Sequence, residues 1–204
     1  ASKLANDAKP DVFIAEPVGS CTDLVATVTY PLRRIYGAEF TVAPLSVLVD
    51  PIRARRILGL EDGGNFSSKV AYIYKKQLEE ADVIVVNKEE LLTDAQRTEL
   101  VDALETNFPN AFVVTASARN ETGLAPWFDI LAKETQGSHA AMEVDYEVYA
   151  DGEALLGWLN ATVTLKAEDE FDANGFLKSF ATDIQTRLQA QGAEVAHLKM
   201  TYSP

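Results

Sequence analysis

Residues 82–90 read DVIVVNKEE: an acid, four β-branched residues in succession, then four polar residues. A short apolar run with no polar face is the pattern of a strand covered on both sides, as in a parallel sheet between helix layers. The polar residues that follow fall at the strand's carboxyl end, where open α/β sheets bind their ligands. Thr93 and Gln96 then make a capping box, and Leu100, Val101, Leu104 and Phe108 recur at helical spacing.

The same alternation extends outward in both directions. Upstream, Ser67-Ser68 start a helix running to Glu80, with Val70, Ile73, Tyr74 and Leu78 on one side. Residues 41–50 (TVAPLSVLVD) are a strand whose regular pairing begins after Pro44. Pro51 opens a short helix that ends near Gly59, and 61–65 (EDGGN) are loop. Residues 11–16 (DVFIAE) read as another buried strand. Ser20 and Asp23 follow as an S-x-x-D capping box, and Leu24, Val25, Val28 and Leu32 mark a helix that frays or kinks at Tyr30-Pro31. Downstream, 111–115 (AFVVT) are a strand, and Leu124, Trp127, Phe128 and Leu131 line a helix to about Thr135. Strand and helix in strict alternation predict an α/β fold over residues 1–137, a mostly parallel sheet with helices on both faces.

The rhythm changes after Gln136-Gly137-Ser138. With 138–142 as a linker, residues 143–204 predict a small α+β C-terminal domain. Its strands are 144–149 (VDYEVY), 161–166 (ATVTLK) and 194–201, the last with Ala196, Leu198 and Met200 on one face. Its helix is capped by Asp172, turns Leu177, Phe180, Ile184 and Leu188 inward and stops at Gly192. Residues 151–160 read either as a short helix or as a hairpin arm.

Composition narrows the function classes. Eighteen Lys and Arg against thirty-one Asp and Glu leave a formal charge of −13 over 204 residues, a field that repels nucleic acid. One cysteine, Cys21, and two histidines, His139 and His197, exclude an internal disulfide and a Cys-based zinc site and leave no metal ligand set. No apolar run approaches the ~18 residues of a membrane span. The first ten residues hold no secretory signal, which makes the cytoplasm the default compartment. The absent initiator Met and the abrupt TYSP end read as cuts through a longer product.

Three predicted strand ends carry polar residues. Glu16-Pro17-Val18-Gly19 offers a carboxylate for a magnesium hydration shell or an attacking water, and a glycine that admits a phosphate to the backbone. The string also reads as a strand-ending acid, a turn proline and a glycine before a helix. Asn87-Lys88-Glu89-Glu90 offers an amide to tie loops and meet a base edge, a lysine stem to cover a purine, and the Glu90 carboxylate to accept two guanine donors. As a bland alternative it is a polar loop. Thr115-Ala116-Ser117-Ala118, with Gly123 beyond, is a small-residue turn able to aim a backbone N–H at a base carbonyl, or an ordinary strand end.

Glu16 lies 71 residues before Asn87, and Asn87 lies 30 before Ser117, in the order in which a GTPase sheet presents its metal, base and base-support loops. On these residues the chain resembles the CobW/HypB/UreG family of P-loop GTPases, metallochaperones and metal-cofactor insertion proteins. The CobW-like branch fits best, over roughly residues 9–136. Glu16 and Gly19 match the family's ExxG motif for magnesium and the γ-phosphate, Asn87 and Lys88 its NKxD motif, and Ser117-Ala118 its SA loop. Asp50 matches a frequent VxVVD string. The resemblance implies GTP and Mg as ligands of the parent protein, a client metalloprotein as partner, and GTP hydrolysis coupled to metal or metal-cofactor insertion.

The departures set further expectations. The 204 residues contain no G-x-x-x-x-G-K-[ST] loop, which would precede residue 1, and no Cys-x-Cys-Cys motif. Glu90 stands where the family has Asp, so its carboxylate is displaced by a methylene and guanine preference is weakened. The chain alone is therefore expected to bind nucleotide poorly and to be a negligible enzyme, with no cofactor of its own. The alternative is a non-catalytic interaction domain that keeps a GTPase-like sheet, and an unpaired sheet edge makes a homo-oligomer a further expectation. Cys21 reads as a buried structural thiol, His139 as exposed in the linker, and His197 as solvated or partner-facing. Arg33, Arg34, Arg53, Arg55 and Arg56 read as solvated basic clusters, and Trp127 and Trp158 as core.

Overall fold

Four consecutive β-branched residues satisfy their backbone and both faces only as the middle strand of a covered sheet. The computed structural model describes residues 10–17, 19, 21–37, 39–63, 67–133, 145–154, 159–166, 171–193, 195 and 198–203. The chain divides into two units, Ala1–Glu153 and Ala154–Pro204. The first unit opens with a π-helical turn, Val25–Thr29, that runs into α1 (Tyr30–Tyr36). There follow β1 (Ser46–Val49), α2 (Pro51–Ile57), α3 (Ser68–Glu79), β2 (Val83–Val86), a 3-10 turn (Glu89–Leu91) and α4 (Asp94–Asn107). Then come β3 (Phe112–Thr115), α5 (Leu124–Lys133) and α6 (Tyr146–Ala154); the second unit carries α7 (Ala173–Ala190).

The sheet is parallel in the order β1-β2-β3, with Val49 opposite Val86 and Val86 opposite Thr115. All four residues of β2 are fully buried, each contributing about 1.5–3 kcal/mol. Alternation sends Ile84 and Val86 into a core with Val49, Ala54, Leu78, Leu100, Leu104 and Phe108. Val83 and Val85 pack the other face with Ala116, Leu124, Trp127 and Ile130. Helices thus cover both faces, as the sequence predicts. Trp127 is part of this second core, and its indole N–H donates to Ser46 Oγ at 2.9 Å.

The helix starts follow local chemistry. The Ser67 hydroxyl accepts from the Val70 N–H at 3.3 Å, and Thr93 and Gln96 form both halves of the capping box. Asp50 caps α2, with Pro51 in its first turn.

Several expectations are overturned. Residues 11–16 are not a strand: the segment is exposed, with Ile14 at 93%. An apolar run becomes a strand only by joining a ladder, and the ladder among the described residues holds β1, β2 and β3 alone. Tyr30-Pro31 does not end the helix but begins α1. Pro31 sits in the first turn, where its missing N–H costs nothing, and Tyr30 N–H reaches back to Val25 O in the π turn before it. Ser20 of the expected capping box lies outside the described residues. The acid at this helix start is Glu80, whose Oε2 accepts from Val25 N–H at 3.2 Å.

Residues 146–149 of the expected strand 144–149 are helical in α6. Asp145 Oδ1 accepts from Glu147 and Val148 N–H at 3.0 and 3.1 Å, a cap that outweighs the apolar alternation. Within the ambiguous stretch 151–160, residues 151–154 are therefore helix. The linker 138–142, with His139, and residues 155–158, with Trp158, lie outside the described residues.

In the second unit, residues 161–166 are exposed chain without ladder bonds. The described part of 194–201, residue 195 and residues 198–201, is not a strand either. Alternation gives a strand a face but no partner. Helix α7 forms as expected, with Asp172 Oδ1 accepting from Gly175 N–H at 2.9 Å. Leu177, Ile184 and Leu188 are half-buried, whereas Phe180 is exposed and stacks on Phe176. No helix among the described residues is long and apolar enough to cross a membrane.

Candidate functional site

The sheet register brings residues 50, 87 and 116 side by side at the carboxyl rim. Asn87 N–H donates to Val49 O at 3.1 Å, and Ala116 N–H to Val86 O at 2.9 Å. Past β2 the chain turns sharply at Lys88, which is left-handed at φ 61° and ψ 37°. A non-glycine residue holds that conformation only where its surroundings over-determine it. Here Glu89 N–H donates to Ala116 O at 3.1 Å, and Glu89 Oε1 accepts from the Thr122 hydroxyl at 3.0 Å.

Asn87 Oδ1 accepts from Ala118 N–H at 3.0 Å, tying the loop after β2 to the loop after β3. Because the partner is a donor, the amide orientation is fixed and both Nδ2 hydrogens face away from this bond. The Ala118 N–H is thus engaged by Asn87. Ser117 is fully buried, pairs with Thr122 through both backbone groups, and accepts from Asn120 N–H at 3.1 Å. Gly123 closes the loop at φ 69°, where a Cβ would run into the Thr115 carbonyl.

Glu90 is exposed. The Ser117 hydroxyl, Glu90's own backbone N–H, and the Arg119 and Lys88 charges hold its carboxyl below the usual range. Asp50 Oδ2 accepts from Lys88 Nζ at 2.9 Å while Oδ1 caps α2. Burial raises the Asp50 pKa, but the Lys88 bond, the Arg53 N–H and the nearby cations outweigh it, leaving a net downward shift.

Glu16 and Gly19 do not join this group. Gly19 O and Cys21 O both accept from Gln77 Nε2, at 2.8 and 2.9 Å, in the last turns of α3. That helix delivers the chain to the amino end of β2, so Gly19 is anchored at the end of the sheet opposite Asn87. Residues 11–16 lie outside the ladder, and Glu16 is exposed. Cys21 is half-buried rather than buried. His197 lies outside the described residues.

Arg55 departs from the solvated face expected for it. It is 5% exposed, donating to Glu99 at 2.8 Å, Glu61 at 3.3 Å, Gln96 O at 3.1 Å and Leu60 O at 3.2 Å. Its acceptors come from two separate segments, which a linear reading does not join. The Asp50–Lys88 pair was missed for the same reason, although Asp before Pro does mark Asp50 as a cap. The rim offers an amide, an exposed carboxylate and a lysine stem. Among the described residues no three His, Cys, Asp or Glu stand together as metal ligands, and Glu16 is exposed in a segment outside the sheet.

Residues 1–114, more than half of the chain, match the family model described as CobW/HypB/UreG, nucleotide-binding domain. No curated protein and no solved structure matches the chain.

Proposed function

The chain belongs to the CobW/HypB/UreG nucleotide-binding family, and from that premise we propose that it forms the base-recognising part of a CobW-like GTPase. The parent's GTP hydrolysis would drive insertion of a metal or metal cofactor into a client metalloprotein in the cytoplasm. The Asn87–Ala118 bond supports this reading most strongly, because it locks two strand-end loops into one rim. In this reading Asn87 Nδ2 meets the base edge and the Lys88 stem covers the ring. Glu90 accepts the two adjacent donors of guanine, which adenine lacks, and the Ser117-Ala118 loop supports the other two.

A magnesium–triphosphate would supply charge neutralisation at the phosphates when bound. The described residues do not assemble its ligands. The phosphate-binding loop and its lysine carry most of the affinity for a triphosphate. With no such motif in these 204 residues, the chain alone binds guanine nucleotide weakly and hydrolyses it negligibly.

Amide NMR of the chain with GDP and ADP tests this. Millimolar GDP shifts residues 87–90 and 117–119 and ADP does not. Equal shifts with ADP overturn guanine recognition, and micromolar GDP binding overturns the weak-binder reading. The placement of Gly19 beside Gln77 favours a second reading, a non-catalytic interaction domain with a GTPase-like sheet; that reading gives no shift with either nucleotide. Leu48 and Phe112 on the outer strands are 52% and 62% exposed, and sedimentation tests whether copies associate through these edges.

A further inference from the structure

Asp50 closes β1 and divides its two carboxylate oxygens between two elements. Oδ1 accepts from Ile52 and Arg53 N–H, both at 3.1 Å, and so is fixed by the start of α2. Oδ2 accepts from Lys88 Nζ at 2.9 Å. At the other end of the same side chain, the Lys88 backbone is held in its left-handed turn. The lysine stem is therefore anchored at both ends while its side chain remains 54% exposed, open to a ligand. A free lysine has extensive rotamer freedom to lose on binding, and fixing its head in advance removes that loss from the association step.

We infer that Asp50 is a positioning residue of the base site, tethering the Lys88 ammonium so that its alkyl stem is preset to cover a planar purine. The inference rests on the reading of residues 87–90 as the base loop. A residue that only capped α2 would need Oδ1 alone. The second oxygen is the observation that the capping role leaves unexplained.

Asp50→Ser separates the two roles. Serine keeps a capping oxygen but is too short and uncharged to hold Lys88. The 204-residue chain is acetylated with acetic anhydride, and site-specific rates are read by mass spectrometry. Lys133, paired with Asp129 at 2.8 Å, is the internal control. In Asp50→Ser, Lys88 reacts about two- to fivefold faster, the range an exposed ion pair supports, while Lys133 and the melting midpoint stay unchanged. Millimolar GDP slows acetylation of Lys88 in the wild-type chain, and the variant needs about two- to fivefold more GDP for equal shielding. Equal Lys88 rates in the two proteins overturn the tether. A faster variant combined with no GDP shielding of the wild type overturns the guanine reading and leaves the tether standing. If Asp50→Ser does not fold, Asp50→Asn, which keeps the cap and removes the charge, gives the same readouts.

Discussion

Asn87 Oδ1 accepts the backbone N–H of Ala118 at 3.0 Å, joining two loops that are 31 residues apart in the chain. The bond is possible because β2 and β3 are parallel neighbours ending at the same height, with Val86 opposite Thr115. One side chain thereby turns two strand ends into one continuous rim.

Replacing Asn87 tests that rim. Asn87→Ala removes the acceptor and costs about 0.5–1.5 kcal/mol in urea unfolding. Asn87→Asp keeps an acceptor for the Ala118 N–H but loses the Nδ2 donors and adds a negative charge, so it destabilises less than Asn87→Ala while the GDP-dependent amide shifts weaken. Equal stability loss in both variants would mean that the Ala118 bond is not what Asn87 contributes.

The two ion pairs of Arg55 and the single pair of Arg97 differ in burial. Arg55→Ala leaves partners on two segments unmatched beside a buried site and costs about 3 kcal/mol. Arg97 pairs with the exposed Asp94 at 2.6 Å, and Arg97→Ala costs less than about 0.5 kcal/mol. Guanidinium unfolding of both variants decides whether burial or mere pairing sets the cost.

Ile14 and Ile84 are the same residue in opposite environments, 93% and 0% exposed. Ile84→Ala opens a cavity between β2 and α4 and costs about 2–5 kcal/mol. Ile14→Ala stays within about 0.5 kcal/mol of wild type. A large loss at Ile14 in thermal or denaturant unfolding would restore the buried strand at 11–16.

Glu80 gives the molecule a pH signature. Burial raises its pKa above the ordinary 4.5, against the lowering effect of the Val25, Asp23 and Leu24 backbone N–H groups, and the nearby Asp23 charge adds to the rise. The folded state therefore holds this proton more tightly than the unfolded chain. Its unfavourable contribution is present at neutral pH, and stability is regained as pH falls through the raised value toward 4.5. Melting curves between neutral pH and that value should show wild type gaining relative to Glu80→Gln on acidification. A constant difference would remove Glu80 from the titration.

The amino-acid order alone made some of this legible for a physical reason. The Thr93–Gln96 box, the Ser67 cap and the Asp172 cap lie within one turn of the groups they satisfy. The apolar run 83–86 can bury both faces in only one kind of sheet. Such features depend on local dihedrals and on period, which a linear string carries in full. The candidates Asn87, Lys88, Glu90, Ser117 and Ala118 could be singled out in the sequence because they lie in the loops that follow β2 and β3.

Tertiary structure decided what local pattern cannot. The runs 11–16 and 161–166 have strand-like composition, but a strand exists only when another edge completes its hydrogen bonds, and β1, β2 and β3 complete only one another. In 144–149 the Asp145 cap overrode alternation. Which end of the sheet holds Gly19, which acids meet Arg55 and which carboxylate holds Lys88 all depend on side chains converging from separate segments. Such convergence is a property of the packed chain. The sequence by itself determined the two-faced central strand and the polar loops that follow it; only packing decided which of those loops stand together, because parallel pairing sets their height and long-range side-chain bonds set their partners.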